Sequence, residues 1–321
     1  MAAGADVTSL DLYSIAPTLF TPDGRSVDAD AMAAAAASMV DHGITDLLLT
    51  GSYGEFQSLC DEERVAVVRA VRPVRGVRSV MACAALPSTD ATARLAERLR
   101  AEGADSVMVA APLSCELSEA ELLRHFEELA GRDLGPLVVY NNPVFGTDLS
   151  PAQLAAIVAL DGFVAVKQGT KSMRSLAQSV TAVHEAAGSR AKLLAASDVT
   201  GMLALAAGAD GLSSTNSWAF PGALRGIVEA AARRDWERAR RIAGAVEPYF
   251  ELAGSLGQPR TVKAAMTLRG VGGCAAVRLP YRPLDDDELK RLAAVLEDCD
   301  GRLAAGVGIR HDGAGRTEGG A

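Results

Sequence analysis

The sequence predicts an α/β chain folded as a single (β/α)8 TIM barrel with a C-terminal helical extension. Three observations carry that reading. Eight short apolar segments recur along the 321 residues without polar–apolar alternation, as in parallel strands buried on both faces. Stretches with apolar residues at three- and four-residue intervals separate them, as amphipathic helices would. Three helix exits also rhyme: HGITDLLL, EGADSVMV and AGADGLSS each set a glycine after a helix, then an Asp and a strand. Glycine there accepts the left-handed cap that turns the chain back onto the sheet. An open doubly wound sheet rarely needs eight such regular units, and no GxGxxG follows the first segment.

In order, the strand segments are 14–20 (SIAPTLF), 46–52 (DLLLTGS), 79–85 (SVMACAA) and 106–112 (SVMVAAP), then 136–142 (PLVVYNN), 163–169 (FVAVKQG), 191–197 (AKLLAAS) and 211–216 (GLSSTN). Between them, 61–71 and 89–101 have helical spacing. Ser118-x-x-Glu121 is a capping box, and Ser150-Pro151 is an N-cap followed by proline in the first turn. After the eighth strand, 221–256, 259–269 and 285–299 read as helices, more than one barrel needs, hence the extension. The domain reading is a lead-in over 1–12, a barrel with C-terminal helices over 13–300, and a disordered tail over 301–321 that thins into HDGAGRTEGGA.

Composition excludes several classes. Charged residues make up 22% and hydrophobic ones 49%, the balance of a soluble enzyme, and the net charge of −8 argues against a nucleic-acid or anionic-membrane partner. The start of the chain has no basic n-region or apolar h-region, and no apolar run approaches a membrane span. The five Cys show no CxxC pairing, which fits a reducing cytoplasm. His42, His125, His184 and His311 are scattered, and no HxH or HExxH supplies metal spacing, so no metal is expected. The run RAVRPVRGVR (69–78) reads as a solvated helix end.

In a barrel, chemistry sits where the strands end. Lys167 is the informative residue there. The chain has 32 Lys and Arg, only five of them Lys, yet one lysine stands inside FVAVKQG after four uncharged residues. A buried amine loses hydration, its pKa falls, and the neutral nucleophile becomes available near neutrality. The bland alternative is a lysine that pairs with a carboxylate or snorkels outward.

Three segments then converge. TGSYGEF (50–56), YNNP (140–143) and VKQGT (166–170) resemble the G-[ST]-x-G-E, Y-N-x-P and lysine motifs of the dihydrodipicolinate synthase/N-acetylneuraminate lyase family, in the right order and on the expected strands. The resemblance spans roughly 14–300. It implies a (β/α)8 lyase whose lysine forms a Schiff base with pyruvate or another 2-oxo acid, with no cofactor beyond that covalent imine. It implies Lys167 as nucleophile and Tyr140 as general acid/base. Gly51, Ser52 and Tyr53 would cradle the carboxylate, and Glu55 would brace the loop. Ser213 would line the pyruvyl pocket or simply pack. The implied partners are a small 2-oxo acid and an aldehyde, and the implied assembly is a homotetramer.

Departures from the synthase branch matter as much. The second loop hydroxyl is Tyr53, the tyrosine pair after the fourth strand is Leu113-Ser114, and the arginine for a distal carboxylate is Phe145. The aromatic loop and Asn142 look more like the hydratase-aldolases acting on arylidene-pyruvates. The expected acceptor is therefore a neutral apolar or aromatic aldehyde, lying among Tyr53, Leu113, Ser114, Asn142 and Phe145. Three alternatives stay open: 4-hydroxy-tetrahydrodipicolinate synthase, a Schiff-base dehydratase or deaminase, and a non-catalytic barrel that binds a 2-oxo acid.

Overall fold

The structure, a computed structural model, describes residues 10–144, 146–170 and 172–309. Eight parallel strands close in sequence order: β1 (Asp11–Ile15), β2 (Asp46–Leu49), β3 (Ser79–Cys83), β4 (Ser106–Ala110), β5 (Leu137–Asn141), β6 (Phe163–Gln168), β7 (Lys192–Ala195) and β8 (Gly211–Ser214), with β8 pairing back to β1. The outer ring is α1 (Ala29–Asp41), α2 (Asp61–Val71), α3 (Thr89–Ala101), α4 (Glu119–Ala130), α5 (Pro151–Val158), α6 (Met173–Ala187), α7 (Asp198–Ala206) and α8 (Pro221–Ala232). The barrel and its winding are as the sequence predicts.

Strand parity divides the core. Leu47, Leu49, Val80, Val107, Val109, Val139, Val166 and Leu193 face outward and pack under the helices. Their neighbours Leu48, Met81, Cys83, Met108, Val138, Tyr140, Ala165 and Leu194 face inward and fill the barrel. The glycine exits work as the sequence suggests. Gly103 and Gly208 adopt φ of 97° and 99°, a region costly for any residue with a Cβ. The aspartates after them start the sheet: Asp105 accepts from Val80 N–H at 2.8 Å and Asp210 from Leu193 N–H at 2.7 Å. The Ser118/Glu121 box is closed, and the Ser150 N-cap forms a further box with Gln153. From the basic run, Arg69 pairs with Glu102 and Arg78 with Asp46.

Three boundaries differ. β1 lies over Asp11–Ile15, not 14–20, and so starts inside the expected lead-in. Ala16 N–H still bonds Leu48 at 2.8 Å, but Pro17 has no N–H to continue the ladder. The stretch 221–256 is two helices, α8 and α9 (Trp236–Leu256), because Asp235 caps a fresh start with a bond to Arg238 N–H at 3.0 Å. The last helix, α11 (Asp286–Val307), runs past the expected limit of 300, so 301–307 are helical. The rest of the expected tail, 310–321, lies outside the described residues, as do 1–9 and His311. With α10 (Arg260–Leu268), helices α8, α9 and α11 enclose their own core around Tyr249, Phe250, Ile242, Leu292 and Cys299. Among the described residues no helix is long and apolar enough to cross a membrane.

Candidate active site

Parity puts Lys167 inside the barrel, two residues beyond the inward Ala165, near the C-terminal end of β6. Its neighbour in register on β5 is Tyr140. Lys167 is 3% exposed, and Nζ lies 4.2 Å from the centroid of the Tyr140 ring. Among the described residues no carboxylate is in ion-pair range. Burial therefore dominates and pulls the amine down to about 8, against weaker opposing effects of Cys83 and Asp198. An unpaired amine in this state is part neutral near physiological pH.

The Tyr140 hydroxyl is held on two sides. It donates to Ser52 Oγ at 3.2 Å and accepts from Asn142 Nδ2 at 2.8 Å, while Asn142 Oδ1 accepts from Val144 N–H at 3.1 Å. Burial pushes the phenol up to about 12, with both hydrogen bonds pulling the other way. The phenol keeps its proton at neutrality yet has a fixed path to Ser52. Sequence separation hides this: Tyr140 and Ser52 are 88 residues apart.

Ser52 belongs to a tight turn after β2, Ser52–Gly54. Gly51 precedes it because a Cβ there would sit 2.8 Å from Leu48 Cδ2. Thr50 and Glu55 flank the turn in the left-handed region, at φ of 51° and 55°, so tertiary contacts must hold them. Thr50 Oγ1 clamps Cys83 through N–H and C=O, and Thr18 Oγ1 donates to Gly54 C=O at 2.6 Å. Glu55 is fully buried and ion-paired with the fully buried Lys263 of α10, and it also accepts from Arg278 N–H at 2.9 Å. That is the bracing expected of Glu55. The amides of Ser52 and Tyr53 donate to no other described residue. Backbone donors left open at a tight turn are groups that can bind a carboxylate.

The remaining sequence candidates divide. A recess at the barrel mouth is lined by Phe56, Ala85, Ala110, Ala111, Leu113, Tyr140, Asn142, Gly146 and Thr147. Leu113 and Asn142 line this recess. Ser114 does not line it: it is exposed, in a left-handed turn at φ 59°. Tyr53 is 37% exposed at the rim, near enough to Tyr140 and Asp198 for their charges to raise its hydroxyl further above the level set by burial. Ser213 points inward but donates to Ala195 C=O at 3.4 Å. Phe145 lies outside the described residues. Asp198 stands in no motif of the sequence. It sits after β7 beside the site, with Asn216 Nδ2 donating to its Oδ2 at 2.7 Å. The described residues hold no cluster of three His, Cys, Asp or Glu fit for a metal.

Comparison with known proteins agrees with the geometry. The sequence model of the Dihydrodipicolinate synthetase family matches residues 11–299. An uncharacterized DapA-like lyase of Halobacterium salinarum is 35% identical over 297 residues, covering 90% of this chain and 94% of that protein. A 4-hydroxy-tetrahydrodipicolinate synthase of Xanthomonas campestris is 32% identical over 269 residues, covering 83% and 87%. Among solved structures, YagE of Escherichia coli K12, a prophage protein of the dihydrodipicolinic acid synthase family in complex with pyruvate, superposes with a TM-score of 0.84 at 25% identity, covering 90% and 98%. The dihydrodipicolinate synthase of Thermotoga maritima shares the fold with a TM-score of 0.85 at 24% identity, covering 92% and 100%.

Proposed function

The chain belongs to the dihydrodipicolinate synthetase family and is a lyase; from that premise we propose that it joins or cleaves 2-oxo acid aldols through a Schiff base on Lys167, with a neutral apolar or aromatic aldehyde as second substrate. The observation that carries the reading is the buried, unpaired Lys167 amine against the Tyr140 ring. The neutral amine attacks C2 of pyruvate, and the C=O pair moves to oxygen. Tyr140 protonates that oxygen, a proton from the attacking nitrogen follows, water leaves, and a protonated imine remains with Tyr140 as phenolate. The iminium then withdraws electrons so that a C3 proton leaves to the Tyr140 phenolate, which becomes the phenol again. The resulting enamine carbon attacks the aldehyde, whose oxygen takes the Tyr140 proton. Water releases the product and frees Lys167. The Ser52 and Tyr53 amides hold the carboxylate, Asn142 orients the phenol, and no further cofactor is required.

The acceptor follows from the recess. No Lys or Arg is among its described lining residues. An anionic acceptor desolvated there would lose several kcal/mol without a paired charge, whereas an aryl aldehyde gains about 25 cal/mol per Å² against Phe56, Leu113 and the alanines. The relatives named 4-hydroxy-tetrahydrodipicolinate synthase support a second reading, with aspartate semialdehyde as acceptor. A panel of aldehydes with pyruvate separates the two. The account expects kcat/KM for aryl aldehydes to exceed that for aspartate semialdehyde. A tenfold preference for aspartate semialdehyde, about 1.4 kcal/mol, reverses the assignment. Release of water or ammonium without C–C cleavage would point to the dehydratase or deaminase outcome.

A further inference from the structure

The glycine turn after β2 holds Thr50 and Glu55 in the left-handed region, so contacts from outside must keep its shape. The linker 269–285, which joins α10 to α11, supplies them through Arg278. Arg278 N–H donates to Glu55 Oε2 at 2.9 Å, and Arg278 Nη1 donates to the Ser58 carbonyl at 2.9 Å. These two acceptors bracket a second tight turn, Phe56–Ser58, whose Phe56 lines the recess. Ser58 N–H returns to the Glu55 carbonyl at 2.8 Å, so the bracketed stretch is tied end to end.

The guanidinium has no donor to spare. Nε donates to the Gly24 carbonyl at 2.9 Å and Nη2 to the Arg25 carbonyl at 2.7 Å, both in the loop after β1. Nη1 and Nη2 also fork onto the two Glu63 carboxylate oxygens, at 2.8 and 2.5 Å. With the bond to Ser58, each of the five N–H groups has an acceptor. Glu63 is itself fixed in the first turn of α2, where it accepts from Cys60 N–H at 3.1 Å. The guanidinium carbon lies 4.3 Å from the centroid of the buried Phe20 ring, which Lys263 Nζ also approaches, at 4.2 Å.

Those acceptors belong to three segments: the loop after β1, the turns after β2 and the start of α2. A lysine carries its three donors on one atom and cannot reach all of them, so the position requires the planar fork. Neighbouring Leu279 is 86% exposed in this chain, so burial of that side chain does not seat the linker. Polar bonds do, among them the Arg278 set and Lys263 Nζ to the Ala276 carbonyl at 2.8 Å. The Ser52 and Tyr53 amides thus sit in a turn held at Gly54 by Thr18 and beyond it by Arg278.

We propose that Arg278 is a positioning residue for the 2-oxo acid carboxylate: its guanidinium sets the glycine turn and, through it, the Ser52 and Tyr53 amides. This deepens the Schiff-base reading and rests on it. The test compares pyruvate, whose carboxylate uses those amides, with methyl pyruvate, whose neutral ester gains less from them. The quantity measured is the concentration of each that half-saturates cyanoborohydride trapping of folded protein. Arg278→Lys keeps the charge but loses the fork. It should raise the pyruvate value about tenfold, with the limiting rate within about threefold of wild type and the methyl pyruvate value within about twofold. Glu63→Gln, which sets an amide N–H against the guanidinium, should move pyruvate the same way by less. It carries the test if Arg278→Lys fails to fold. An unchanged pyruvate value in Arg278→Lys, or in Glu63→Gln where only that variant folds, overturns the proposal. An equal rise for both compounds overturns it too, since a general loosening of the barrel mouth would not single out the carboxylate. Absence of trapping in the wild type would instead sink the Schiff-base reading itself.

Discussion

Two described lysines are buried, and their surroundings send them to opposite ends. Lys167 is 3% and Lys263 1% exposed, and burial lowers both amines. Lys263 meets the Glu55 carboxylate, the Ala276 carbonyl at 2.8 Å and the Phe20 ring at 4.2 Å. Its ammonium protons are occupied, so it works as a bolt between the C-terminal extension and the glycine turn. Lys167 lies against the Tyr140 ring, and among the described residues no carboxylate is in ion-pair range of it. Desolvation alone does not make a nucleophile. A buried amine becomes one only where nothing accepts its protons.

The comparison breaks most visibly at Lys167. Lys167→Arg should fold and keep its circular dichroism, but pyruvate-dependent turnover should fall about 10⁴-fold or more, since guanidinium stays protonated. Lys263→Met should show the reverse character: Glu55 is left buried without its partner, at about 3–5 kcal/mol of stability by denaturant unfolding. Folded protein should still label at Lys167. The pair Glu55→Gln with Lys263→Met should be less destabilised than Lys263→Met alone, because no charge is stranded.

A smaller effect sharpens the proton path. Tyr140→Phe should lower kcat about 10²-fold or more in steady-state assays while leaving the carboxylate cradle intact. Ser52→Ala should follow it in kcat by a lesser factor, since it removes the acceptor 3.2 Å from the phenol. Smallest is the pH effect. Lys167 has its amine lowered to about 8, so trapping should rise with pH below that value and level off above it as the neutral form saturates. A midpoint near that of an ordinary exposed lysine would mean that Lys167 is hydrated or paired in solution.

The contrast also explains what could be read in the sequence. Lys167 was legible because it interrupts a charge-free strand in a chain with five lysines. Lys263 was not, because TVKAAMTL reads as an ordinary amphipathic turn and its partner lies 208 residues away. The barrel was legible through its repeated glycine exits, whereas β1 was displaced because its polar residues, Asp11, Tyr13 and Ser14, mask the pattern. Those side chains have partners on other elements: Asp11 pairs with Lys192, Tyr13 with Ser79 and Ser14 with Ser217. Asp198 carries no local signal, since Asn216, which bonds it, and Gln258, which bonds Asn216, come together only in the folded chain.

Of these two buried amines, Lys167 alone should react with pyruvate. Wild-type protein incubated with pyruvate and borohydride, digested and mapped by mass spectrometry, tests it directly, because reduction retains only a covalent imine. One reduced pyruvyl group per chain is expected, on the peptide carrying Lys167, with Lys263 unmodified. An adduct on Lys263 or Lys171, or none with pyruvate or any other small 2-oxo acid, would contradict it.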